Sequence, residues 1–165
     1  MNVENRLAEL GLSLPPAMTL PEGVELPFPW VRVHGDRAFI SGHGPLESDG
    51  SLARPLGRVG AEVTEEQAYA AAAKTALAVV SSLKTALGDL ERVVAWTRVF
   101  GMVATAPGFN RTPAVINGFS DVILRLWGEE AGRHARSAVG LAALPFDIPV
   151  EVEAEVIIRP GSATA

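Results

Sequence analysis

Between Thr64 and Gly88 the apolar residues recur with the period of a helix, placing Ala72, Ala76, Val79, Leu83 and Leu87 on one stripe. Thr64-Glu65-Glu66-Gln67 opens that helix as a capping box, and Gly88 supplies its stop. The small alanines let it lie close against a sheet. A second stripe, Val115, Phe119, Val122 and Leu126, follows Thr112-Pro113 and fades near Trp127-Gly128. Here the threonine is expected as N-cap and the proline as the first helical residue. Between the two helices, residues 92–104 are rich in Val, Trp, Thr and Phe and predict a strand. Earlier, Trp30–Val33 and Arg37–Ser41 flank Gly35-Asp36, the pattern of a tight hairpin. Two more strands are expected at Arg136–Ala143 and Val150–Arg159, separated by Pro145 and Pro149. Residues 3–10 predict a short helix with Val3, Leu7 and Leu10 on one face. It is followed by an extended lead-in, LPPAMTLPEGVELPFP, with five prolines in sixteen residues.

The order β-β-α-β-α-β-β predicts an α+β fold in which one mixed sheet carries two helices on one face. The other sheet face would be left bare, and a bare apolar face asks for a second subunit. The chain divides into an N-terminal extension (1–26), one domain (27–160) and a disordered tail (161–165).

Composition narrows the function. The chain has 165 residues, 48% hydrophobic and 20% charged, the balance of a globular domain with a real core. The net charge is −5 and no stretch is dense in Lys or Arg, which argues against a nucleic-acid partner. There is no cysteine, so disulfides, thiolate metal sites and a cysteine nucleophile are excluded; a reducing, cytoplasmic setting fits. No uninterrupted apolar run approaches the ~20 residues that span a bilayer, and the N-terminus lacks the apolar core of a signal peptide, so no membrane partner is expected.

The candidate chemistry lies near the C-terminus. Arg136 opens an apolar run, ARSAVGLAALP, with no acidic residue within five positions on either side. A charge at the mouth of a buried segment costs free energy unless something pairs with it. It either grips a ligand carboxylate, for which its planar fork is suited, or pairs with a C-terminal glutamate. Glu151, Glu153 and Glu155 share one strand face, ordinarily a solvated one, although one carboxylate turned to a cleft could hold a water. Ser41-Gly42-His43-Gly44 permits close backbone approach at a strand end, or is merely a turn. Asn117 falls inside the second helix as a polar position. His34, His43 and His134 lack metal-ligand spacing, so no metal is expected. Neither a G-x-S-x-G nor a Gly-rich phosphate loop is present.

These pieces resemble the Rid family of reactive intermediate deaminases, also called YjgF or L-PSP. The carrying segments are FISGHGP, VFGMVATAPGFN, and ARSAVGLAALP followed by VEVEAEVI, over about Pro27 to Arg159. The resemblance implies a chorismate-mutase-like fold assembled as a homotrimer, with ligand clefts between subunits and no cofactor. It implies hydrolysis of 2-imino or enamine acids, such as 2-aminoacrylate, to 2-keto acids and ammonia. In that reading Arg136 grips the substrate carboxylate and Glu151 positions the attacking water. Ser41, Gly42 and Asn117 line the cleft, with Phe28 and Ala138. Phe28 stands where the deaminase branch often has a tyrosine, and Ala138 where it often has a cysteine. Two further readings follow: a non-catalytic trimer that binds a small carboxylate metabolite in the same clefts, and an endoribonuclease or translation inhibitor, which the acidic balance disfavours.

Overall fold

The computed structural model describes residues 2–18, 20 and 22–160; the tail expected to be disordered, 161–165, lies outside the described residues. Its elements are α1 (Val3–Glu9), β1 (Val31–His34), β2 (Arg37–His43), α2 (Glu65–Leu87), β3 (Val93–Ala104), α3 (Thr112–Gly132), β4 (Ala135–Leu141) and β5 (Val150–Ile158). The sheet order is β1-β2-β5-β3-β4, antiparallel throughout except for the parallel pair β3–β4. A parallel pair needs a crossover, and α3 provides it. The α+β architecture expected from the element order is the one observed. The last two strands are not neighbours: β3 lies between them.

The two long helices pack on the same sheet face and on each other. Alternation along β3 decides which side chains go there: Val99 and Val103 are buried beneath α3, while Arg98, Phe100 and Met102 point the other way. Two glycines set the spacing. A side chain on Gly101 would begin 2.6 Å from Ile116, and one on Gly118 would begin 2.1 Å from the Tyr69 carbonyl oxygen. Helix α3 therefore touches β3 and α2 at backbone distance, which is what the alanine-rich face of α2 permits. By length and mean composition α2 could cross a membrane, yet half of that window is buried in this fold, where its apolar stripe faces the sheet.

The capping box of α2 is present in full. Gln67 N–H donates to Thr64 Oγ1 at 3.2 Å and Thr64 N–H to Gln67 Oε1 at 2.9 Å. The start of α3 differs from expectation. Arg111 is its N-cap, without a side-chain cap bond, and the Thr112 hydroxyl donates instead to the Ala138 carbonyl at 3.0 Å. A tie to the neighbouring strand has replaced a local cap. The regular part of α3 stops at Gly128, whose φ of 75° departs from the helix. There the Arg6 guanidinium donates to the Leu126 carbonyl at 3.0 Å, a cation on the freed C-terminal carbonyls. Helix α1 is thus docked, with Val3 and Leu7 in the same core as the sheet.

Candidate functional site

Three neutral acceptors hold the Arg136 guanidinium. Arg136 lies on β4 opposite Val99, hence on the helix-covered face. Its Nη1 donates to Asn117 Oδ1 at 3.0 Å and Ser120 Oγ at 2.9 Å, and its Nη2 to the Pro113 carbonyl at 3.3 Å. Positions 113, 117 and 120 follow the i, i+4, i+7 rule, so one face of α3 forms the cradle. Burial lowers the Arg136 pKa from its ordinary value and the negative charge of Asp121 works against that; arginine stays protonated in either case. Among the described residues no carboxylate lies within ion-pairing distance of Arg136, so the C-terminal glutamates do not pair with it inside the chain.

A histidine stands behind this cradle. His134 Nδ1 lies 2.7 Å from the Gly132 carbonyl, so Nδ1 carries the proton. Burial lowers the pKa of the ring, and the charge of Arg136 adds to this against the Gly132 bond, which favours a bare Nε2. That nitrogen, 2.9 Å from Ser120 Oγ, accepts the serine proton and leaves the serine lone pairs to Arg136. Neither Ser120 nor His134 was foreseen as a partner of Arg136. The helical spacing from Asn117 to Ser120 was the available signal.

The second cluster is built around Glu151. This residue lies on β5 opposite Met102, on the uncovered sheet face. Ser41 and Gly42, expected at a strand end, lie inside β2 at a register shift between Ile40 and His43. A Cβ on Gly42 would fall 2.0 Å from Glu151 Oε1, so the absent side chain is the space the carboxylate occupies. Burial, then the neighbouring charge of Glu153, raises the Glu151 pKa above its ordinary value. The Ser41 hydroxyl is committed, donating to the Pro29 carbonyl at 2.8 Å. Phe28 is 47% exposed and meets Trp30 edge to face, with ring centroids 6.2 Å apart.

The sequence candidates therefore fall into two groups. Arg136 and Asn117 meet through a hydrogen bond, with Ala138 two residues further along β4, on the edge strand. Gly42 and Glu151 meet on the opposite sheet face, with Ser41 next to Gly42 in β2, while Phe28 rests on Trp30. In one chain, strand β3 and the thickness of the sheet separate the guanidinium from the carboxylate. Glu155 is paired with Arg37 at 2.6 Å and Glu153 is exposed. Among the described residues no three acidic or imidazole side chains converge as metal ligands.

The uncovered face is mixed. Phe39 is 42% exposed on it, Phe100 and Met102 lie across the sheet, and the Arg98 guanidinium sits 5.9 Å from the Phe100 ring centroid.

A family model described as YjgF/chorismate mutase-like, putative endoribonuclease, matches residues 4–152. Protein TCP17 of Trypanosoma cruzi is 44% identical over 122 residues, covering 74% of this chain and 75% of that protein. The crystal structure of Atu1372 from Agrobacterium tumefaciens, a protein of unknown function, superposes with a TM-score of 0.85 at 37% identity, over 95% of this chain and 92% of that one. Escherichia coli TdcF, crystallised with bound serine, shares the fold at a TM-score of 0.54 and 21% identity, over 89% of this chain and 99% of that one.

Proposed function

The chain belongs to the YjgF/chorismate mutase-like family, also called L-PSP, and from that premise we propose that it is a cofactor-independent hydrolase of 2-imino and enamine acids. The observation that carries the reading is Arg136: a guanidinium pinned by three neutral acceptors and left without a carboxylate. Each bond orients the group and none neutralises it. An anchored but uncompensated cation is suited to a carboxylate ligand. The serine bound to TdcF is a molecule of that class.

Glu151 supplies the second function. Its raised pKa makes it a stronger base than a solvated glutamate, able to take a proton from water at neutral pH. The substrate carboxylate rests on Arg136 while the protonated imine presents C2. Glu151 removes a proton from water as its oxygen bonds to C2, giving a carbinolamine. The proton passes to the amine nitrogen; Glu151 then takes the carbinolamine hydroxyl proton as the C=O bond forms and the C–N bond breaks, and ammonia leaves with a 2-keto acid. The imine is already electrophilic, so positioning supplies most of the acceleration needed.

Because Arg136 and Glu151 occupy opposite faces of one chain, this chemistry requires a second copy. A homotrimer that brings the β1–β2 side of one subunit to the β4 edge of the next would place Gly42, Phe28 and Glu151 across from Arg136 and Asn117. It would also cover Phe39 and Phe100. Non-catalytic binding of a small carboxylate is the second reading, favoured by Phe28, which brings no hydroxyl to the cleft.

The test is the decay rate of freshly generated 2-iminopropanoate with wild type, Arg136→Ala and Glu151→Gln. Acceleration by wild type that both substitutions remove supports the hydrolase. Carboxylate binding without acceleration leaves the binding protein.

A further inference from the structure

A cavity of about 240 Å³ lies on the helix side of the β1–β2 edge, apart from the Arg136 cradle and bordered by Trp30 and His43, the neighbours of Phe28 and Ser41. Its roof is the proline-rich segment 16–18, its wall is Trp30, and its floor is the face of α2 that carries Ala78, Ser82 and Thr85. The roof is fastened: Ser81 Oγ donates to the Pro15 carbonyl at 2.6 Å. The Trp30 ring leans on the His43 imidazole, with centroids 4.9 Å apart.

The polar groups in this cavity can be assigned. His43 Nδ1 lies 2.6 Å from the Ser41 carbonyl, which accepts, so Nδ1 holds the proton. His43 is 6% exposed, and its burial lowers the ring pKa, against the Ser41 bond. The neutral ring thus offers Nε2 as an acceptor, and the Ser82 hydroxyl, 2.8 Å away, donates to it. The Thr85 hydroxyl donates to the Ser81 carbonyl at 3.1 Å. All three hydroxyls have spent their single protons inside the protein. What they retain for a guest is lone pairs. Among the described residues of the lining the remaining side-chain donor is the Trp30 indole N–H, and none is charged at neutral pH.

We propose that this cavity is a binding site for a small, uncharged, largely apolar molecule, flat enough to lie on Trp30 and carrying one hydroxyl or N–H for the Ser82 and Thr85 oxygens. Acceptor-rich walls without a cation exclude carboxylates, so the guest differs in class from the carboxylate expected at Arg136. A buried acceptor discriminates by hydrogen bonding, since a guest without a donor leaves it desolvated and unpaired.

Phenol and indole are the probes, titrated into isotopically labelled protein by NMR, with toluene and benzoate as controls. Saturable shifts at the Trp30 indole and the Gly44 amide are expected from both probes. Toluene should bind about fivefold more weakly, the fold-change of one net hydrogen bond, and benzoate should give no shift there. Ala86 is exposed at the mouth, so Ala86→Trp closes the cavity without disturbing the fold and should weaken phenol binding at least about tenfold. Arg136→Ala should leave phenol binding unchanged. No saturable shift from either probe, equal binding of benzoate, or undiminished binding by Ala86→Trp with its other amide resonances in place overturns the proposal.

Discussion

The two faces of the sheet treat a charged residue in opposite ways. On the covered face Arg136 is fully furnished by its own chain, with Asn117, Ser120 and Pro113 around it and His134 behind. On the uncovered face Glu151 has a place, above Gly42, but its surroundings end at the surface of the chain. One side is an ordered guanidinium, and the other is a carboxylate without a wall. A single chain folded by its helices can complete only the first. Association that builds the cleft would add environment to Glu151 rather than order to Arg136.

Removal of the ordered cation should have the largest effect. Arg136→Ala should lower carboxylate affinity or imine turnover by about two orders of magnitude, the scale of losing a charge-assisted contact partly shielded from water. Light scattering should still report the wild-type mass, and circular dichroism the wild-type fold. A change of mass would mean that Arg136 serves the assembly instead.

Next come substitutions that strike one face only. Phe39→Asp places a charge on the uncovered face where a neighbour would sit. For the proposed trimer the mass should fall from three times 17.4 kDa to one, with the secondary structure retained. Gly118→Ala drives a methyl group into the Tyr69 carbonyl between the helices, and should cost about 2–4 kcal/mol by chemical denaturation. If Phe39→Asp also unfolds the protein, the two faces are not independent. Gly42→Ala is gentler. Its methyl group meets the flexible end of Glu151, so stability should change by less than about 1 kcal/mol while turnover falls about tenfold.

The same contrast explains what could be seen in the sequence. Periodicity gave the helices and strands of the covered face because one side of each is buried, as at Leu83, Val99 and Phe119. Capping chemistry was legible at Thr64, where the partner is three residues away. It failed at Thr112, whose hydroxyl is drawn 26 residues along the chain to the Ala138 carbonyl. Arg136 drew attention because no acid stood near it in sequence, but Ser120 and His134 did not, since their meeting depends on how α3 lands on β4. For Gly42, the sequence showed flexibility and the structure shows occupied space: Glu151 arrives from 109 residues away to use the room. The cavity under residues 16–18 was invisible for the same reason, being assembled from segments that carry no common pattern.

The smallest effect tests the order behind Arg136. His134 is held neutral in the fold, chiefly by burial and then by the guanidinium beside Ser120. A histidine whose folded pKa lies below its unfolded value of about 6.5 contributes its full stability above that value. The contribution is lost as pH falls through the folded pKa. His43 acts with the same sign. Glu151, with its pKa raised, acts oppositely: its contribution is present below the ordinary carboxylate range and lost as pH rises through its folded value. Stability measured by denaturant should therefore decline from pH 7 toward pH 5. His134→Gln should flatten that decline by less than about 1 kcal/mol, because its ring remains partly in contact with water. Carboxylate affinity gives the independent readout. In wild type a proton on His134 sets a second positive charge behind Ser120 and turns Nε2 into a donor to Ser120 Oγ, which weakens the serine's hold on the guanidinium. In His134→Gln the affinity should vary less over the same pH range. An identical pH profile in the variant would show that Asn117 and Pro113 hold Arg136 without help from the histidine.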